Sequence, residues 1–308
     1  MEKEKHNPLI SVVVISYNSS EYILDVLESA KAQTYQNIEL LVSDDKSTDN
    51  TIEIAKEWIS KNRERFVRTA VIVPEHNTGT AGNYNRGLFA SKGEWIKFID
   101  ADDIMFPNCL EDNVEYVIKT PEAKIVFSDV LYFTKAKNIG NKHFVSEEDK
   151  QFFLKKAHDQ FMALLKKNNL PCASNFMQTK LLKDNPYNED YILLEDAPKW
   201  IDLTRKGNKF YYFDKVTAGY RQCVSVSHRK TQFFSPLYVD CIFKYLWNER
   251  MQLIKKYHNQ EAYNYQRKKI LLMELSFALF DNERTFVKNI LFQIVRVCIK
   301  VLIHYKLH

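Results

Sequence analysis

Residues 9–15 form an almost unbroken apolar run, rich in Val and Ile, that stops at Ser16-Tyr17-Asn18. A run apolar on both faces predicts a buried parallel strand. Ser19 and Ser20 are capping candidates for a helix over residues 22–30, where Ile23, Val26, Leu27 and Ala30 recur at helical spacing. Residues 38–42 repeat the strand pattern and end in Ser43-Asp44-Asp45. Thr48 or Asp49 then caps a helix through Ile52, Ala55 and Ile59. A third strand over residues 69–73, a loop holding Gly79 and Gly82, and a helix over residues 81–91 follow. A fourth strand over residues 95–99 runs straight into Asp100.

This alternation predicts an open, mostly parallel α/β sheet flanked by helices. Such sheets bind ligands beyond the carboxyl ends of their strands. Ser16-Tyr17-Asn18, Asp44-Asp45, Asn77-Thr78-Gly79 and Asp100-Ala101-Asp102-Asp103 all fall at that edge. The chain is less regular beyond Phe106. Residues 125–133 read as a strand, 135–150 as a polar loop and 152–167 as an amphipathic helix. Glu195-Asp196 precedes a helical stretch through Trp200, Ile201 and Leu203. Residues 210–213 and 217–221 read as two short strands, and the chain is helical from Pro236 onward.

Composition narrows the class. The 308 residues are 45% hydrophobic and 27% charged, as in a soluble globular protein. Lys and Arg exceed Asp and Glu by 44 to 39, too small a surplus to argue for nucleic acid. Cys109, Cys172, Cys223, Cys241 and Cys298 show no metal-ligand spacing, and their odd number speaks against a disulfide framework. A reducing cytosol is the expected setting. No signal-peptide pattern and no spanning apolar run is visible.

The acidic cluster carries the chemistry. Three carboxylates within four residues repel one another, so such clusters sit in solvent or around a cation. Mg²⁺ binds through one or two carboxylates plus substrate phosphates. The competing explanation is a solvated helix N-terminus, where acidic residues are favoured electrostatically. The strand-end position favours the cation.

Four segments together resemble the family 2 glycosyltransferases, which have the GT-A fold. They are SVVVISYN at 11–18, SAKAQTYQNIELLVSDDKSTDNT at 29–51, HNTGTAGNYNRGLFASKGEWIKFIDADD at 76–103 and LLEDAPKW at 193–200. The match is nearly continuous to residue 105 and patchy to about 228. The resemblance implies a GT-A catalytic domain over residues 1–230, with a nucleotide-binding half (1–105) and an acceptor half (106–230). A helical region (231–308) follows.

It also implies roles. Asp45 recognises the uracil or ribose, with Asp44 supporting its loop and Ser16 and Tyr17 near the base. Asn77 and Gly79 approach the nucleotide. Where many members have Ala-Arg-Asn, this chain has Gly82-Asn83-Tyr84-Asn85-Arg86, so Asn83 or Arg86 stands in for the missing contact. Asp102 is the first metal ligand, for Mn²⁺ or Mg²⁺, with Asp100, Asp103 and His228 as further candidates. Asp100 also touches ribose or a metal-bound water. Asp196 resembles the general base of an inverting transfer; a helix-capping role is compatible with it. Arg221 grips the diphosphate. The Gln-X-X-Arg-Trp signature of processive relatives is missing, so one sugar is added, from a UDP-sugar, to a glycan or lipid-linked saccharide in cell-surface polysaccharide synthesis.

Residues 286–307 hold a polar stripe of Asn289, Gln293, Arg296, Lys300 and His304 in an otherwise apolar, acid-free helix. Such a helix lies on a membrane interface, or packs on the catalytic domain or a second subunit. The expected location is the cytoplasm, peripheral on the inner face of the plasma membrane. Two other classes compete: a catalytically silent nucleotide-sugar binder and a nucleotidyltransferase. An intact acidic motif opposes the first. The second would carry a basic Gly-rich loop after strand one, where Ser16-Tyr17-Asn18-Ser19-Ser20 stands.

Overall fold

The computed structural model describes residues 7–135, 138–222, 233–283 and 285–305. The chain begins β1 (Ile10–Ser16), α1 (Ile23–Lys31), β2 (Ile38–Asp44), α2 (Thr51–Asn62), β3 (Arg68–Ile72), α3 (Gly79–Ala90) and β4 (Trp95–Asp100). It continues through β5 (Ile104–Met105), α4 (Cys109–Lys119), β6 (Ile125–Lys135), β7 (Asn138–His143), α5 (Glu147–Leu154) and α6 (Ala157–Lys166). Then come β8 (Phe176–Gln178), α7 (Thr179–Lys183), α8 (Asp196–Arg205) and β9 (Tyr211–Arg221). The last helices are α9 (Pro236–Tyr245), α10 (Met251–Lys256), α11 (Gln260–Phe280) and α12 (Phe286–Tyr305).

The apolar runs become the centre of one sheet because every residue of β1 and β2 is buried. Among the described residues the sheet has nine strands in the order β3-β2-β1-β4-β8-β6-β9-β5, with β7 on β6. β3, β2, β1 and β4 are parallel, while β8 turns antiparallel between β4 and β6. The sheet is thus parallel in its first half and mixed beyond. Register pairs Ser16 with Asp44 and Ile15 with Asp100, which brings the three strand tips level. Ile23, Val26, Leu27 and Ala30, the helical stripe of α1, are fully buried in the same core as Val12, Val14, Leu40 and Val42. Trp95 stacks on Phe176 at 5.1 Å and 3° between planes.

Several local expectations differ. The single helix expected over residues 152–167 is two, α5 and α6, because Lys155 takes an extended backbone that ends α5. Ser19 and Ser20 do not cap α1 through their side chains; their N–H groups bond Thr51 Oγ1 (2.8 Å) and Asp49 (3.1 Å) instead. The stretch read as a loop over 135–150 contains β7 and the start of α5. β7 is polar and pairs only at its β6 side, so it lacks the alternation of a half-buried strand. α5 is nucleated by a capping box between Ser146 and Asp149, a signal hidden among other polar residues. Finally, residues 211–221 form one strand, whose register slips against β6 near Asp214 and Lys215, where the apolar pattern breaks.

The chain divides into two compact units. One comprises Met1–Phe161 with Asn169–Gln222; the other comprises Met162–Asn168 with Cys223–His308. In the second unit Arg250 donates to the carbonyls of Leu164 (2.6 Å) and Leu165 (3.1 Å), which ties the Met162–Asn168 segment to the later helices of that unit.

Candidate active site

The tips of β1 and β2 are cross-linked through Asp44. Its carboxylate accepts from Ser16 Oγ (2.8 Å), Ser47 N (2.7 Å) and Ser47 Oγ (2.6 Å). Asn18, in left-handed backbone at φ 49°, accepts the Thr48 N–H at 2.8 Å. Asp44 is fully buried and supports the loop, while Tyr17 stands half exposed beside it.

Asp45 closes the next corner. Its carboxylate accepts from Thr78 N (2.9 Å), Thr78 Oγ1 (2.7 Å) and Gly79 N (2.7 Å) at the start of α3. Negative charge is favoured there by the helix dipole. Arg86 pairs with the same carboxylate at 3.1 Å, and Asn77 donates to the Asp45 carbonyl at 2.9 Å. Gly79 has φ +79°, and a Cβ on it would lie 2.6 Å from the Ile192 carbonyl oxygen. Only glycine fits there. Asn83 reaches the Ser16 carbonyl (3.1 Å) and accepts from Ser43 Oγ (2.7 Å). Arg86 thus sits on Asp45, and Asn83 bridges the tips of β1 and β2.

The acidic turn follows β4. Asp100 accepts from Tyr84 Oη at 2.9 Å. Its carboxyl is pushed up to about 7, by desolvation first and then by Asp102, with Asp196 adding to it. Asp103 is buried and accepts the Arg221 N–H at 2.8 Å. Burial, then Asp102 and Asp100, hold its carboxyl well above the carboxylate range. The Arg221 guanidinium donates to the carbonyls of Asp102 (2.6 Å) and Thr134 (3.1 Å) and pairs with Asp25 (2.6 Å). It lies over Phe133 at 4.4 Å and Tyr22 at 4.7 Å. The cation therefore fixes the backbone of the acidic turn. Lys97, at 0% exposure in mid-β4, donates to the Ala173 carbonyl at 2.5 Å. Burial pulls its amine down, and nearby Cys109, Asp103 and Asp100 oppose that.

Asp196 arrives from far along the chain as the first residue of α8. It accepts the Ala197 N–H (2.5 Å), and Cys172 Sγ lies 3.9 Å from its other oxygen. Burial raises Glu195 well above its ordinary range, with Asp196 and Asp100 adding to it. Burial also raises the Cys172 thiol, helped by Asp196 and Glu195. Tyr187 packs on Tyr84 at 5.0 Å, behind Asp100. Ser16, Asp45, Asn77 and Gly79 therefore form one corner, and Asp100, Asp102, Asp103, Arg221 and Asp196 gather at the next. His228 lies outside the described residues. The sequence reading missed Asp25, Tyr84, Lys97, Cys172 and Tyr187. Only Lys97 carried a usable signal: a lysine inside a strand whose neighbours are apolar on both faces.

The fold implies a divalent cation, and the donor set fits one. Carboxyls that raise one another's proton affinity gather at the Asp100 turn, and carboxylate oxygens suit Mg²⁺ and Mn²⁺. Among the described residues no three His, Cys, Asp or Glu side chains converge on a protein-only metal cage.

A half-parallel sheet with an acidic turn after its fourth strand, closed by a mixed second half, defines the GT-A class of fold. Solved structures agree. Staphylococcus aureus TarS 1–349 in complex with UDP-GlcNAc superposes with a TM-score of 0.57 at 20% identity, over 87% of this chain and 73% of that one. The mannosyltransferase PcManGT of Pyrobaculum calidifontis, in complex with GDP-Man and Mn²⁺, gives 0.51 at 15% identity, over 89% and 76%. At these identities the likeness establishes the fold. The model of glycosyl transferase family 2 matches residues 11–183, and the chain belongs to that family. Among curated relatives, Escherichia coli WfaP is 29% identical over 213 residues, 69% of this chain and 77% of its own length. It is a UDP-Glc:alpha-D-GlcNAc-diphosphoundecaprenol beta-1,3-glucosyltransferase. Glycosyltransferase GlyG of Streptococcus pneumoniae is 36% identical over 136 residues, and the chain spans 43% of its length.

Proposed function

We propose that this glycosyltransferase moves one sugar, with inversion, from a nucleotide-diphosphate sugar to a hydroxyl of a glycan or lipid-linked saccharide. A UDP-sugar donor and cell-surface polysaccharide synthesis are the favoured setting, in keeping with the E. coli relative's substrates. What supports the reading most is the placement of Asp196 at the start of α8, with Cys172 Sγ 3.9 Å from its carboxylate and the buried Asp100 carboxyl near enough to be raised by its charge.

In this reading the Asp45 corner receives the base and ribose, with Tyr17 exposed at its edge. Gly79 lets the backbone approach the nucleotide closely. The Asp196 carboxylate accepts the proton of the acceptor hydroxyl as its oxygen attacks the anomeric carbon. The bond from that carbon to the diphosphate breaks on the opposite face, which inverts the configuration. A divalent cation held through Asp102, with Asp100 beside it, would neutralise charge building on the leaving diphosphate. Arg221 keeps that turn in place through the Asp102 carbonyl, a positioning part that its buried geometry supports over direct phosphate contact.

Asp196→Asn is the test. UDP affinity should stay within about twofold while kcat falls by about 10²–10⁴, the usual share of a general base. Undiminished turnover would remove Asp196 from the mechanism. A panel of nucleotide sugars, with EDTA and then Mn²⁺ or Mg²⁺ restored, identifies the donor; turnover indifferent to EDTA would remove the metal. Peripheral membrane contact through residues 286–307 belongs to the same reading. Val287, Ile290, Leu291, Ile294 and Val297 of α12 are exposed. Among the described residues no helix is long and apolar enough to cross a membrane.

A further inference from the structure

Lys97 lies in mid-β4, three residues before the acidic turn, and is fully buried with its amine on the Ala173 carbonyl. An ammonium taken out of water is costly, and an apolar side chain would fill the same strand position without that cost. What the bond holds is a turn. Ala173 is the middle residue of Cys172–Ser174. Ser174 Oγ ties this turn to β6 by accepting the Ser128 N–H at 3.1 Å, and Asn175 donates to the Cys172 carbonyl at 2.5 Å.

The turn presents Cys172 to α8. Its sulfur lies 3.9 Å from Asp196 Oδ2. Trp200 follows Asp196 by four residues, on the same face of α8, and is buried. Among the described residues its indole N–H has no oxygen or nitrogen partner, and it acts on the Cys172 sulfur as a hydrogen-bond donor. Cys172 is thus seated between Asp196 and Trp200. An S–H···O contact is weak as a hydrogen bond, so the thiol acts mainly by filling this space. A chain of contacts therefore joins the strand of the acidic turn to the helix of Asp196: Lys97, the Ala173 carbonyl, Cys172, Asp196. The charge of Lys97 also acts on Asp100 and Asp103, which sets the amine near the acidic turn itself.

In an in-line displacement the base and the leaving diphosphate flank the anomeric carbon. The spacing between Asp196 and the acidic turn must then be held, because a misplacement of about 1 Å costs on the order of 10²-fold in rate. We propose that Lys97 is a positioning residue that sets this spacing, acting through the Ala173 carbonyl and the Cys172 thiol. Fully buried, it meets neither donor nor acceptor. The inference rests on Asp196 as the base in the proposed function.

The test uses the full chain. Lys97→Met keeps an unbranched side chain but cannot bond the carbonyl. Its kcat should fall by about tenfold or more, while UDP affinity and donor KM stay within about threefold. Melting should stay within a few degrees, since removing a buried charge offsets the orphaned Ala173 carbonyl. Alkylation of Cys172 by iodoacetamide, followed by peptide mass, should quicken several-fold as the turn loosens. Cys172→Ala should lower kcat by about threefold or more at unchanged UDP affinity. The double variant should lose little more than Lys97→Met alone, because both changes break one chain. Undiminished kcat in either single variant, losses that multiply in the double, or a loss of UDP affinity and melting that matches the loss of kcat would each overturn the inference. Should Lys97→Met not fold, Cys172→Ala decides: lowered kcat with intact UDP binding supports the chain, and full kcat breaks it. Asp196→Asn separates the two readings. Retained turnover there removes the base itself, whereas an inactive Asp196→Asn beside a fully active Lys97→Met removes only the positioning.

Discussion

Single residues around the site are held by burial and partners more than by their own preference. Lys199 illustrates this. It is buried in α8, bonded to the carbonyls of Asn185 and Pro186, and stacked 4.5 Å from the Tyr187 ring. Desolvation pulls its amine down to about 8 from the ordinary 10.5. Between those two values the unfolded chain still binds a proton that the folded protein has released, so stability rises with pH. Below pH 8 the cost of burying the charge is present in full. Wild type should therefore gain stability relative to Lys199→Met as the pH rises from about 8 to about 10, followed by urea unfolding. A difference that stays flat across that window would return the amine to its ordinary range. The strand-end carboxylates together with the family resemblance named Asp45, Asp100, Asp102 and Asp196. They did not show that Asp45 is already bonded to Thr78, Gly79 and Arg86, because those donors are selected by the fold.

At the scale of elements, the start of α3 is the most constrained join. Gly79 presents its N–H to Asp45 and tolerates no side chain against Ile192. Gly79→Ala combines a positive φ, about 1–2 kcal/mol for an L residue, with that clash. Melting should drop by several degrees, and UDP affinity by about tenfold or more, as the Asp45 corner shifts. A variant that melts like wild type and binds UDP equally would show that the corner does not shape the nucleotide site. The elements legible from sequence were those with a clear apolar period: β1 to β4, α1 to α3, β6 and α8. β7 and α5 were not, because their stability comes from pairing with β6 and from the Ser146–Asp149 capping box rather than from an apolar stripe.

For the whole molecule, one unit carries every described residue of the candidate active site, and the described residues of the other beyond Ser235 are mostly helical. The exposed apolar face of α12 predicts that the full chain floats with vesicles containing anionic phospholipid. Removing residues 286–308 should lower the bound fraction several-fold while leaving UDP binding in place. An unchanged membrane fraction after the deletion would assign the face to another role.

The sequence by itself determined the family, the parallel first half of the sheet and the carboxylates at its edge. Each of these is local: an apolar run specifies a buried strand, and the residues that end it sit at the strand tip. Only the tertiary structure decided what those carboxylates meet. β9 passes beside the acidic turn and carries Arg221 onto the Asp102 carbonyl, α8 brings Asp196 up to Asp100, and Lys97 sits buried with its amine on Ala173. The physical reason is that charge interactions in a buried site depend on distance and desolvation, and both arise only when strands far apart in sequence pack together.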